Sequence, residues 1–326
     1  MATHFDDSIR AELLSRRQRL ETAASSSPGQ SYLSSLLREV DSALSRLDDG
    51  TFGLCDTCHD PIEAERLAAD PLVRFCLDHL TVPEQRALEQ DLDLAANIQA
   101  ALLPKNGLVQ GSWETAYHFQ AAGPVSGDYC DLIPAADGSL YFMVGDVSGK
   151  GVAASMLMSN LHAMFRALTG TGLPLIQVIQ RASRLFCEST LANHYATLVC
   201  GRAEKNGHVE ICNAGHLAPL LGQGGIVRTI DSTGLPLGMF CSEDFELKTV
   251  RLRKGDCLLL YTDGLTEAQD PAGTELGIEP LIEIVRNRQP SSVQDLVRTC
   301  VAKASSFRSG LPLKDDLTVM ALERVD

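Results

Sequence analysis

From about residue 108 the chain breaks into short apolar runs closed by Gly, Asp or Asn. These are SLYFMVGDV (139–147), HYATLVCGRA (194–203), GHVEICNAG (207–215), DFELKTVRL (244–252), DCLLLYTDG (256–264) and DLTVMALE (316–323). Runs of this length between turn formers predict strands. Amphipathic stretches at 152–168 and 174–190 interrupt them, and two more helical candidates, 276–288 and 291–306, precede the last strand. Hairpin-spaced strands with helices in separate blocks predict an α+β layered domain rather than regular βαβ units.

The N-terminal third has a different texture. Leu33, Leu37, Val40, Leu44 and Leu47 step by four and three residues and form one seam on a helix over 31–48. Ile9, Leu13 and Leu20 repeat this more loosely over 5–22. Between them AASSSPGQ (23–30) has turn composition, and Gly50 stands where a helix cap belongs, so an antiparallel hairpin is expected. A third helix, 84–103, carries Leu88, Leu92, Ala95 and Leu102 on one stripe and stops at Pro104. That stripe leaves two readings open, a plain spacer and the seam of a homodimer. The expected divisions are a helical hairpin (1–50), a cysteine-bearing segment (51–82), a linker helix (83–104) and a larger domain (105–326).

Composition narrows the class. The 326 residues are 44% hydrophobic and 21% charged, as in ordinary globular proteins. No apolar run reaches the ~20 residues that cross a bilayer, and MATHFDDSIRAELL lacks the apolar centre of a signal peptide. A cytoplasmic protein with no membrane partner is expected. The formal net charge of −14 argues against direct binding to nucleic acid. Of ten cysteines, most are scattered through apolar segments and read as buried small hydrophobes.

Three cysteines are different. Cys55-x₂-Cys58, seventeen intervening residues, then Cys76-x₂-His79 is the spacing of a closed tetrahedral zinc site. His59 beside Cys58 reads as a surface residue. The segment LDDGTFGLCDTCHDPIEAERLAADPLVRFCLDH resembles the zinc finger of the DksA/TraR family, which also follows a helical hairpin. The resemblance implies structural Zn²⁺ on Cys55, Cys58, Cys76 and His79, with His79 standing where that family usually has Cys. Family members contact RNA polymerase through an acidic hairpin tip, so a transcription-associated zinc-finger protein is the alternative reading. The acid-free AASSSPGQ argues against that contact.

The larger domain carries four Asp motifs in order: GPVSGDYCD (123–131), VGDVSGKG (144–151), YTDGLTE (261–267) and KDDLT (314–318). Each sets an Asp at a strand end or in the adjoining turn, where distant segments converge. Hard oxygen ligands so gathered suit Mg²⁺ or Mn²⁺. Taken singly, an Asp-Gly at a strand end is a turn former. VGDVSGKG fails as a nucleotide loop, because three residues separate Gly145 from Gly149 and Gly151 replaces the Ser/Thr. No G-x-S-x-G or H-E-x-x-H occurs.

With the lead-in LAANIQAALLP (94–104) and the turns NAGHLAPLL (213–221) and STGLPLG (232–238), these motifs resemble the PPM-type (protein phosphatase 2C-like) phosphatases of the SpoIIE/RsbU-like branch, over 84–326. The resemblance implies two stacked antiparallel sheets flanked by helices and two Mg²⁺ or Mn²⁺ ions at one edge. It carries ligand roles to Asp128, Asp146, Asp263 and Asp315, with Asp146 bridging, the Val147 carbonyl coordinating, and Asp316 a further ligand. Asp131 would support the site from behind. The implied activity is hydrolysis of phosphoserine or phosphothreonine on a protein by water, without a phosphoenzyme. The implied partner is an anti-anti-sigma (STAS-type) phosphoprotein. No counterpart of the phosphate-binding Arg of the eukaryotic relatives precedes Asp128; Lys150 is open between that role and a solvated turn. His216 is expected to stabilise its turn.

Overall fold

In a computed structural model that describes residues 2–26, 31–80, 82–190, 194–241, 244–288 and 292–326, the chain divides into two units, Met1–Gln90 and Asp91–Asp326. In the first, helices α1 (Ala2–Ser26) and α2 (Ser31–Asp48) pack Ile9 and Leu13 against Val40, Ala43 and Leu44. The expected turn at 23–30 falls largely on 27–30, outside the described residues. Gly50 holds the left-handed backbone that a residue ending a helix needs, with φ +70°. The cysteine-bearing segment follows with a short helix α3 (Ala64–Ala69) and a 3₁₀ turn at Leu77–His79.

Helix α4 (Val82–Leu102) carries the chain across the unit boundary. Of its predicted apolar stripe Leu88 is exposed and Leu92, Ala95 and Leu102 are half-buried; Leu94 and Ile98, outside the stripe, are exposed, and Gln99 is the helix's one buried residue among those described.

The second unit is built on two antiparallel sheets. One orders β1 (Val109–Gln110), β2 (Trp113–Gln120), β11 (Leu317–Arg324), β10 (Cys257–Tyr261), β7 (Leu220–Gln223) and β8 (Ile226–Thr229) side by side. The other orders β3 (Asp128–Pro134), β4 (Leu140–Val147), β5 (Ala196–Ala203), β6 (His208–Ala214) and β9 (Lys248–Arg251). Their facing surfaces interlock through Phe142, Val144, Val199, Leu258, Leu260 and Met320. Helices α5 (Gly151–Thr169) and α6 (Leu175–Ser189) cover the outside of the five-stranded sheet. Helices α8 (Glu279–Arg286) and α9 (Val293–Arg308) cover the six-stranded one, with the four-residue α7 (Asp263–Thr266) after β10. Central strands buried on both faces explain the unbroken apolar runs LYFMV and CLLLY.

Two cysteines depart from the sequence reading. Cys187 at the end of α6 and Cys241 form a disulfide with Cα atoms 5.4 Å apart, rather than serving as separate buried hydrophobes. The other eight are free. Among the described residues no helix is long and apolar enough to cross a membrane.

Candidate active site and zinc centre

Antiparallel register sets the first two carboxylates. Asp128 opens β3 directly opposite Asp146 on β4. Both share the strand face of Cys130, Leu132, Phe142 and Val144, the face turned to the other sheet. A period of two therefore aims both into the rim between the sheets. Across that rim β10 ends where β11 begins, with Tyr261 paired to Val319. Asp263 follows one, and Asp315 and Asp316 precede the other. Gly264 allows the approach, since a Cβ there would overlap the Asp316 carbonyl.

The two sheets are tied at this point. Thr262 Oγ1 donates to Asp128 Oδ2 at 2.9 Å, and Thr318 Oγ1 donates to the same oxygen. Asp316 Oδ1 and Oδ2 accept from the backbone N–H groups of Ala122 (2.8 Å) and Gly127 (2.9 Å), holding the loop ahead of Asp128. Lys150 Nζ donates to Asp315 Oδ2 at 2.6 Å.

The carboxylates disturb one another. Burial pushes Asp128 well above the usual range, against the Thr318 hydroxyl, with Asp146 and Asp316 adding to the rise. Burial, then Asp263, Asp315 and Asp316, push Asp146 up to about 7. Asp263 is raised by burial and then by Asp315. Such a set favours a compensating cation. Gly127 adds a cradle: a Cβ there would stand 3.2 Å from the Val147 carbonyl oxygen and 3.3 Å from Asp146 Oδ1. All donors are oxygens, the ligand type of hard cations. The residues fit Mg²⁺ or Mn²⁺.

Two expectations concerned neighbours. Asp131 does not back this site. Lying three residues after Asp128, it faces the opposite side of the sheet, where Arg166 grips it at 2.8 and 2.6 Å and His162 stands 3.7 Å away. His216, expected to stabilise its turn, bonds within the turn only through its backbone N–H, to Asn213, while its ring reaches two other strands. Its ring nitrogens engage Thr197 Oγ1 (2.9 Å) and the Tyr261 carbonyl (3.1 Å), and burial lowers its pKa to about 4. It thus braces the strand end that presents Asp263. The sequence reading missed Thr262 and Thr318, although each sits in one of its Asp motifs.

In the first unit Cys55, Cys58, Cys76 and His79 bring their ligand atoms within 4.8 Å of one another. Cys58 Sγ and Cys76 Sγ are 3.8 Å apart. That matches the edge of a tetrahedron with Zn–S bonds of about 2.3 Å, so the quartet fits zinc. His59 is exposed and outside it.

Comparison with known proteins identifies the family. Residues 136–325 match the family model of Stage II sporulation protein E, and residues 50–78 match the prokaryotic DksA/TraR C4-type zinc finger. Protein IcfG of Synechocystis is 27% identical over 72% of this chain and 41% of its own length. Phosphoserine phosphatase RsbU of Bacillus subtilis is 25% identical over 74% of this chain and 72% of its own. The crystal structure of the RsbU and RsbW domains of Rv1364c from Mycobacterium tuberculosis superposes with a TM-score of 0.56 at 26% identity, covering 68% of this chain and 61% of that one.

Proposed function

Because the chain belongs to the Stage II sporulation protein E (SpoIIE) family, we propose that it is a metal-dependent phosphatase acting on phosphoserine or phosphothreonine in a regulatory protein. The observation that carries this reading is the meeting of Asp128, Asp146, Asp263 and Asp315, distant in sequence, at one rim of the sandwich. In this reading Asp128, Asp146, Asp263, Asp315 and the Val147 carbonyl would hold two Mn²⁺ or Mg²⁺ ions. Asp146, raised by burial and then by Asp263 and Asp315, would be the ligand shared by both ions. Asp316 acts through the loop amides it binds.

Bound there, divalent cations supply the charge that makes water a nucleophile near neutral pH. The protein's own part is to hold the carboxylates against their repulsion. Thr262 and Thr318 fix Asp128, and His216 fixes the end of β10. Helix α5 begins at Gly151, just past Asp146, so its positive end favours a phosphate dianion in this region. Lys150, paired with Asp315, adds positive charge at the same rim.

The working division is hairpin 1–50, zinc finger 51–82, linker 83–104 and phosphatase domain 105–326, in a cytoplasmic protein. The substrate would be a phosphorylated anti-anti-sigma protein of STAS type in a partner-switching pathway. The zinc unit would dock or sense, and exposed Leu88, Leu94 and Ile98 on α4 suit a homodimer seam. The test is to incubate the protein with Mn²⁺ and a seryl-phosphorylated STAS protein, with and without EDTA. Phosphate release that EDTA abolishes is expected; turnover that survives EDTA overturns the reading.

A further inference from the structure

Helix α4 buries one residue among those described, and it is a glutamine rather than a leucine. Gln99 is 5% exposed, whereas Leu88, Leu94 and Ile98 lie 43–58% exposed. Both of its polar ends are used on one residue. Gln99 Nε2 donates to the Ser126 carbonyl at 2.7 Å, and the Ser126 N–H donates to Gln99 Oε1 at 2.9 Å. The side chain thus holds a loop residue as a neighbouring strand would, through both main-chain groups.

Ser126 is fully buried, and its position is passed on in two directions. Its Oγ accepts the N–H of Asp128 at 3.0 Å. The next residue, Gly127, donates its N–H to Asp316 and accepts the Val147 N–H through its carbonyl at 3.3 Å. Asp128 and Val147 therefore each lie two hydrogen bonds from Gln99, by way of Ser126 and its neighbour Gly127.

We propose that Gln99 is a positioning residue for the metal ligands: α4 sets the Ser126–Asp128 loop through it and so controls metal affinity. This rests on the phosphatase reading above. A buried amide pair that loses its partner leaves two main-chain groups unpaired, enough to weaken a coupled equilibrium about tenfold.

The test measures Mn²⁺ binding by the electron paramagnetic resonance signal of the free ion, on the full zinc-loaded chain. Gln99→Met keeps the length and removes both bonds. Its Kd for Mn²⁺ should rise about tenfold, while zinc content stays unchanged and the KM for p-nitrophenyl phosphate at saturating Mn²⁺ stays near wild type. Gln99→Glu, which retains only the acceptor, should fall between. Gln99→Met with a lower melting temperature but wild-type Mn²⁺ affinity would make Gln99 a plain anchor and overturn the proposal. Should Gln99→Met not fold, Ser126→Ala removes the contact to Asp128 N–H directly, and unchanged affinity there overturns it equally. Asp146→Asn separates the two levels. If wild type binds no Mn²⁺, or Asp146→Asn binds it as well as wild type, the phosphatase reading falls and the relay with it. If Asp146→Asn binds none while Gln99→Met and Ser126→Ala bind as wild type, the relay alone falls.

Discussion

At the residue scale the active rim is an arrangement of acids that is unfavourable without a counter-ion. Asp146 has a pKa pushed up to about 7 by burial and by Asp263, Asp315 and Asp316, against 3.8 for an ordinary Asp. A carboxyl that holds its proton more tightly when folded stabilises the folded state at low pH. That contribution is lost as pH rises from about 4 through 7. The EDTA-treated protein should therefore melt progressively lower between pH 5 and pH 8, and Mn²⁺ should reverse the loss at the upper end. Asp146→Asn should flatten this dependence and melt above wild type at pH 8 in EDTA, yet show no Mn²⁺-dependent turnover; calorimetry across that range checks it. Gly264 makes the complementary case, for geometry. Gly264→Ala forces the Asp263 turn off the Asp316 carbonyl, and turnover should fall at least about a hundredfold, as when reacting groups are displaced by ~1 Å. These acids were legible because each borders an apolar run: Asp146 and Asp263 close one, whereas Asp128 and Asp315 stand at the head of one. Asp131 was misread because its spacing of three from Asp128 reverses its face, something a motif does not display but a strand assignment would have.

At the element scale, legibility followed burial. The doubly buried runs around Tyr141 and Leu259 announced their strands, and the helices over 151–169 and 175–189 were read to within a residue. The sequence reading passed over β2, WETAYHFQ, because one of its faces carries Glu114 and His118 and its apolar content is diluted. The Cys187–Cys241 pair spans 54 residues and has no local signal at all. Local chemistry was clearer where a cap or a metal replaces a core. Helix α9 opens on a reciprocal capping box, Ser292 with Asp295, and Ser292→Ala should cost about 1 kcal/mol in urea denaturation. In the zinc segment, Ile62, Leu67 and the two ligands Cys55 and Cys76 form a small buried cluster among the described residues, with partly buried side chains packed around it. So small a centre would draw much of its ordering from a bound ion. Cys55→Ser should yield protein without stoichiometric zinc and with new protease sites between residues 51 and 80, both readable by metal analysis and limited proteolysis.

At the scale of the whole molecule, the chain joins two sites of opposite chemical character. One is a soft quartet of three thiols and an imidazole in Met1–Gln90, the other a hard set of carboxylates in Asp91–Asp326. Soft and hard donors select different ions, so the two can be stripped independently. The free thiols of the second unit, Cys130, Cys200, Cys212, Cys257 and Cys300, are all buried, and burial raises the pKa of each, which leaves them poorly nucleophilic. An organomercurial should therefore attack the zinc quartet first. Titrating the full chain with one, while following zinc release with a chromogenic chelator, should free the zinc with Mn²⁺-dependent cleavage of p-nitrophenyl phosphate still within about twofold of its starting rate, because that small ester needs only the rim. Asp263→Asn should show the reverse, with zinc retained and cleavage lost. The informative measurement is then the phosphoprotein substrate on the zinc-stripped chain. A zinc unit that docks or senses would make turnover of the protein fall while turnover of the aryl phosphate persists. Equal loss on both substrates would mean instead that the quartet supports the catalytic fold.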